Sequence, residues 1–158
     1  MTKGDYKAKE RKVIVFQLED EEYAIPVEQV GSIERVQSIT RVPRTKPFVK
    51  GVMNLRGVIT PLIDLRIRFG MEEKDFTNTS RIIIVQVDDI EVGLIVDSAN
   101  DVLDIPVSAI EPPPEIIEAV QIEYVEGVVK VEDRLLILLN LQKVLTDEDI
   151  EELQRVEE

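Results

Sequence analysis

The side chains of this chain that could take part in chemistry are carboxylates, amines, guanidiniums and hydroxyls. Histidine, cysteine and tryptophan are absent. Without histidine the commonest general base near neutral pH is missing, and phosphotransfer to histidine is impossible. Without histidine or cysteine the usual zinc and transition-metal ligand sets cannot form, so neither a metal nor a cofactor is expected. Paired carboxylates could still serve a hydrolase. The 32 acids, however, fall mostly in turns and near the C-terminus, where solvation accounts for them. None forms a pair at a recognisable motif. A small-ligand or nucleotide module is a second rival, but neither glycine-rich phosphate-loop pattern occurs. The expectation is a protein that is not an enzyme.

One residue resists so plain an account. The stretch FVKGVMNLRGVITPLIDL, residues 48–65, is mostly apolar but is interrupted by Asn54, Arg56 and Gly57. Gly57 suits a tight hairpin turn, where positive φ is needed, and Asn54 and Gly57 are read as structural turn residues. The turn does not require Arg56. Two readings stand: a solvated turn arginine, or a planar fork that binds a partner's carboxylate or backbone carbonyls.

The elements that position this arginine occur twice. FVKGVMNLRGVITPLIDL aligns with YVEGVVKVEDRLLILLNL, 76 residues downstream, matching Gly51 with Gly127 and Asp64 with Asn140. Upstream, VIVFQLEDEEYAIPVEQVGSI aligns with IIIVQVDDIEVGLIVDSANDV at an offset of 69. The second half therefore carries extra residues, placed in the proline-rich stretch 110–117. At the position of Arg56-Gly57 the second copy has Glu132-Asp133, so the turn is retained and its charge reversed.

Each copy reads as β-structure: β-branched runs joined by charged turns, with longer hairpins turning near Arg56-Gly57 and Glu132-Asp133. Short strands of this kind suggest small barrels, which remove exposed sheet edges. The chain divides into a flexible leader (1–12), two barrel units (about 13–80 and 81–145) and a C-terminal helix (146–158). Pro26 suits a first helical position, with Val27, Val30 and Ile33 then sharing a helical face. Thr146 can cap the last helix, with Asp149 three residues on and Ile150, Leu153 and Val156 as its apolar stripe.

The formal net charge is −13, which argues against nucleic acid and against anionic membrane surfaces. Residues 35–70 nevertheless hold eight bases and one acid. They read either as a solvated basic face or as a surface that steers an acidic partner. The longest apolar run, Leu135 to Leu139, is far shorter than the roughly 20 residues of a spanning helix. The charged N-terminus has no signal-peptide stretch, and a cytoplasmic location without membrane insertion is expected.

The block KGVMNLRGVITPLIDLRIRFG resembles the signature of the CheW family of chemotaxis coupling proteins. FQLEDEEYAIPVEQV, EVGLIVDSANDVL and YVEGVVKVEDRLLILLNLQKVL fit the same family in order, so the resemblance covers about residues 12–145. It implies an all-β fold with few short helices: two pseudo-repeated, five-stranded SH3-like barrels packed over an aliphatic core. It implies an adaptor without catalysis that links methyl-accepting chemoreceptors to the histidine kinase CheA, recruited to arrays at the inner face of the membrane. By this resemblance the receptor's cytoplasmic helical tip docks in a groove between the barrels, matched by Ile14, Val27, Val30 and Ala99 with Arg56 nearby. For Val27 and Val30, core packing is an equal reading. Glu111 and Ile116 match an array contact with the kinase's C-terminal CheW-like domain. For the isoleucines of the proline-rich loop, plugging a barrel end is the alternative.

Overall fold

The computed structural model describes residues 9–114 and 122–157. Ten strands make up almost all of it. They are β1 (Glu10–Leu18), β2 (Glu21–Pro26), β3 (Val30–Arg35), β4 (Val49–Leu55), β5 (Val58–Asp64), β6 (Arg81–Val87), β7 (Ile90–Val96), β8 (Ser98–Pro106), β9 (Val125–Val131) and β10 (Arg134–Leu139). Two one-turn helices, α1 (Leu65–Arg68) and α2 (Leu141–Val144), follow β5 and β10, and α3 (Asp147–Glu157) ends the chain. The side chains of Asp64 and Asn140 accept the first free N–H groups of α1 and α2, so the repeat extends to the helix caps.

The four hairpins turn in two residues, led by Glu19, Arg56, Asp88 and Glu132, all at positive φ between 52° and 56°. This hand matches the right-handed twist of the flanking strands. The strand orders are β8-β1-β2-β10-β9 in barrel A and β3-β6-β7-β5-β4 in barrel B. Under the repeat these are the same order. Each barrel takes its central hairpin from one sequence copy and its other three strands from the second copy.

The division at residues 80 and 81 is therefore corrected: neither half of the chain forms a barrel of its own. The reason lies in the connections. A single 3-10 turn, Val27–Gln29, separates β2 from β3, and only Asp97 separates β7 from β8. Links so short cannot return a strand to the far edge of its own hairpin, so the chain crosses to the other barrel. The two crossings bring in parallel pairs, β2 with β10 and β5 with β7.

Two other expectations change. β1 begins at Glu10, paired with Pro106, inside the stretch read as a leader. The helical face of Val27, Val30 and Ile33 is also not formed. Val30 and Ile33 lie on β3, paired with Val85 and Ile83 of β6, and sheet pairing overrides the three-residue spacing. The C-terminal helix is present. Thr146 Oγ1 accepts from the Asp149 N–H, and the Asp149 carboxylate accepts from the Thr146 N–H, a reciprocal cap. Its Ile150 and Leu153 are buried.

Each barrel closes through an isolated bridge beyond its edge strand, Thr40 with Val52 in B and Glu111 with Val128 in A. Glycine is required opposite both. A Cβ on Gly51 would stand 2.2 Å from the Thr40 carbonyl oxygen, and one on Gly127 2.8 Å from that of Glu111. This explains the glycine that both copies carry.

Inner strands bury both faces, so they read as continuous apolar runs. Val13 and Val15 of β1 fill barrel A, while Ile14, Phe16 and Leu18 face the seam between barrels. Ile82 and Ile84 of β6 fill barrel B, while Ile83, Val85 and Val87 face the same seam. A row of rings, Phe16, Tyr23, Phe69 and Tyr124, crosses the seam at centroid spacings of 5.6–5.8 Å. Tyr23 Oη is buried there without a hydrogen-bond partner among the described residues. Burial, with Glu21 nearby, pushes this phenol well above its ordinary range. An unsatisfied buried hydroxyl costs ~1 kcal/mol or more. Tyr23→Phe is expected to raise unfolding stability by about 1 kcal/mol, read as a higher urea midpoint at unchanged slope.

Candidate functional site

β3 carries the residues of interest from the seam to the outer rim of barrel B. At its seam end Val30 is half-buried and packs on the central core together with Val27 and Ala99. Ile14 belongs to that core, and Ala99 sits opposite Phe16 on the neighbouring strand. The structure thus gathers Ile14, Val27, Val30 and Ala99 around one seam. Ile14 is nearly enclosed, while the other three present part of their surface.

Four residues further along β3, about 13 Å at the usual strand rise, Glu34 meets Arg56. The guanidinium lies 3.4 Å from Glu34 Oε2, with the arginine side chain 77% exposed. The hairpin tip is fixed from below: Asn54 Oδ1 accepts from the Gly57 N–H at 2.7 Å. Gly57 has φ +88 with open space around a would-be Cβ, so its role is conformational. A single long ion pair at the surface is worth ~0–1 kcal/mol. Arg56 is therefore held out on a rigid turn with a weak internal partner.

Glu111 lies elsewhere. Its backbone closes barrel A, and its side chain is exposed. The proline-rich extra residues follow it at Pro112. Ile116 lies outside the described residues.

Apolar residues also stand exposed on strands of both barrels, a feature the sequence reading missed. Ile33, Val58 and Ile59 do so on B, Val102 and Leu135 on A. Ile33 and Val102 are 69 residues apart, and Ile59 and Leu135 are 76 apart. The repeat offsets were enough to find them. The two barrels thus share an exposed apolar pair and differ in charge at the turn before β5 and β10, Arg56 against Glu132.

Buried ion networks brace these surfaces. Arg66 of α1 donates to both Asp97 oxygens at 2.8 and 3.0 Å and to Glu19 at 2.7 Å. The Glu19 N–H also reaches Asp97. Burial alone would raise the Asp97 carboxyl, but the bonds from Arg66 and the Glu19 N–H hold it below its ordinary range. Asp149 of α3, 2% exposed, accepts from Lys46 at 2.7 Å and Arg68 at 3.3 Å. Burial again pushes upward, and Lys46, the Thr146 cap and Arg68 outweigh it. Arg68 also lies over the rings of Phe48 and Tyr124. No group of three or more potential metal ligands occurs among the described residues, and no helix there is long and apolar enough to cross a membrane.

The frame is two interlocked five-stranded barrels packed over one apolar seam. A CheW-like domain model matches residues 12–149. The chain is 49% identical to the chemotaxis protein CheW of Bacillus subtilis, over 87% of this chain and 88% of that one. It is 35% identical to the chemotaxis protein CheW of Klebsiella aerogenes, over 89% and 84%. The crystal structure of the scaffolding protein TtCheW from Thermoanaerobacter tengcongensis superposes with a TM-score of 0.81 at 36% identity, covering 89% of this chain and 95% of that one. The chain belongs to the CheW family, chemotaxis scaffold and adaptor proteins that are not enzymes.

The buried carboxylates give the fold a pH dependence of definite sign. Asp149 and Asp97 sit below their unfolded values. Their contribution is complete above the ordinary Asp value near 3.9 and is lost as pH falls through the lower folded values. Asp64, raised chiefly by burial, works in the opposite direction. Breaking a buried pair costs about 3 kcal/mol. Asp149→Asn is expected to lose about that much stability at pH 7 and much less near pH 2. Urea titrations of parent and variant across this range check it.

Proposed function

We propose that this chain couples methyl-accepting chemoreceptors to the histidine kinase CheA, at the inner face of the membrane and within an extended array. Two observations on barrel B and its seam carry this reading. Val27, Val30 and Ala99 leave part of their apolar surface open at the seam, and the β4–β5 hairpin tip holds out a guanidinium that the fold itself uses only weakly. An amphipathic helix such as a receptor's cytoplasmic tip suits such a surface: apolar anchors in the seam, a carboxylate or helix C-terminal carbonyls at Arg56. Relatives called chemotaxis proteins and a solved relative called a scaffolding protein support the assignment.

The kinase contact uses the barrel ends. Like but unequal ends favour heterologous contacts, which close into rings when the rotation permits. The kinase's C-terminal CheW-like domain, having the same fold, can alternate with this chain around such a ring. Glu111 and Ile116 are assigned to the barrel A contact in this reading, and the exposed Val102 and Leu135 are added to it.

Binding to a receptor cytoplasmic fragment and, separately, to the regulatory domain of CheA tests both parts. Arg56→Glu is expected to weaken receptor binding by about tenfold or more while leaving the circular dichroism spectrum unchanged. Receptor affinity equal to that of the parent would remove Arg56 from the interface. Ile116→Ser and Val102→Ser are expected to leave receptor binding intact and to abolish assembly beyond the binary complexes, read by sedimentation of receptor–kinase mixtures. Failure of the folded parent to bind either partner would overturn the coupling assignment.

A further inference from the structure

A recess of about 830 Å³ opens on barrel B between the β3–β4 loop and the segment after α1, with Val49 and Ile67 of the seam core at its floor. Its lining concentrates cations in a chain that is strongly acidic overall. Arg41, Arg44, Lys46 and Lys50 surround it with one carboxylate, Glu73. Two of the four are committed: Lys46 to Asp149, Lys50 to Glu73. Arg41 and Arg44 are exposed and form no ion pair among the described residues. The proposed receptor surface does not need them.

The loop places Arg44 at some cost. It stands at φ 64 after Pro43, the turn position where glycine or asparagine is the ordinary choice. The turn is tightened by the Thr45 hydroxyl donating to the Val42 carbonyl at 3.1 Å. One wall is apolar: Phe76 is 40% exposed, with the Lys50 ammonium 5.7 Å from its ring centroid.

We infer that this recess binds a small organic phosphate. Two guanidinium forks that are unpaired among the described residues match the several oxygens of a phosphate monoester, which takes bidentate bonds from arginine, and the two committed ammoniums add to the local positive field. The volume lies in the range of small-molecule sites. The Phe76 wall gives an organic body a surface on which to lie. Local cations in a recess focus the field, so an anion is attracted despite the overall negative charge. The position is suited to control: the same loop carries Lys46, which holds α3 through Asp149, so an anion drawing on Lys46 acts on the helix that closes the chain.

The test is titration calorimetry of the full chain with 1-naphthyl phosphate and with inorganic phosphate. A glutamate-rich decapeptide and phosphatidylglycerol vesicles are run in parallel. Saturable binding of 1-naphthyl phosphate is expected, tighter than that of inorganic phosphate. Arg41→Gln and Arg44→Gln should each weaken it by about tenfold, the scale of a lost charge-assisted hydrogen bond. Phe76→Ala should remove the advantage of the ring. Lys143→Gln, on the exposed face of α2, should change nothing. Thermal melts of each variant establish that it is folded. The inference is overturned by absence of saturation up to roughly 1 mM, by equal affinity in the two arginine variants, or by binding of only the peptide or only the vesicles. Receptor and CheA binding are separate measurements, so failure here leaves the coupling function standing.

Discussion

Asp97 is the residue on which the architecture turns. It alone spans the gap between β7 in one barrel and β8 in the other. A one-residue crossing between two closed sheets leaves a polar backbone and a carboxylate at a crowded point, where they must be satisfied internally. Arg66 supplies both oxygens, and the Glu19 N–H adds a third bond. Those donors come from α1 of barrel B and from the β1–β2 turn of barrel A. A single charged cluster thus holds the crossing strand, the exchanged hairpin and the helix after β5. Removing one partner would leave the others charged and partly buried, a larger loss than the cluster's net contribution to stability.

The exchange has consequences for the core. Because each hairpin lies in the middle of the barrel completed by the other copy, its two faces meet two different environments. One fills the barrel, the other fills the seam. This is why β1, β2, β6 and β7 are buried at successive positions, and why the seam is continuous from Ile14 to Leu153. A protein that must present surfaces at fixed angles gains from this arrangement. The barrels cannot rotate against one another without disturbing the seam packing and the short connectors that cross it.

Much of this was legible in the sequence, in a particular way. The two offsets gave the repeat, the hairpins, the turns at Arg56-Gly57 and Glu132-Asp133, the paired caps Asp64 and Asn140, and the glycines of the closing bridges. Which hairpin pairs with which strands was not legible. Local pattern is identical whether a hairpin pairs within its own copy or with the other, and the choice rests on the lengths of two short connectors. Val27, Val30 and Ile33 misled because a bulge between Val30 and Ser32 inserts a residue into β3, so a three-residue spacing falls on one face of a strand. Arg66 was counted within a basic stretch, although it is buried. Nothing in residue type separates it from Arg41 or Arg44, which are exposed on the same barrel.

The near-symmetry of the fold makes its departures informative. Where both copies keep a residue, as at Gly51 and Gly127, geometry demands it, and the clash with the facing carbonyl says why. Where the copies differ on an equivalent backbone, geometry is satisfied either way and the difference lies in what the side chains meet. The turn at Arg56 and Glu132 is the sharpest case. Both are at nearly the same positive φ, both are tips of closing hairpins, and their charges are opposite. The same holds beside them, where Glu34 of β3 stands in the place of Leu103 of β8 by the upstream offset. A two-barrel frame whose ends are equal in shape and unequal in charge cannot present the same face twice. Under the proposed coupling function this inequality suits two different partners, or the two different ends of one partner with its own fold.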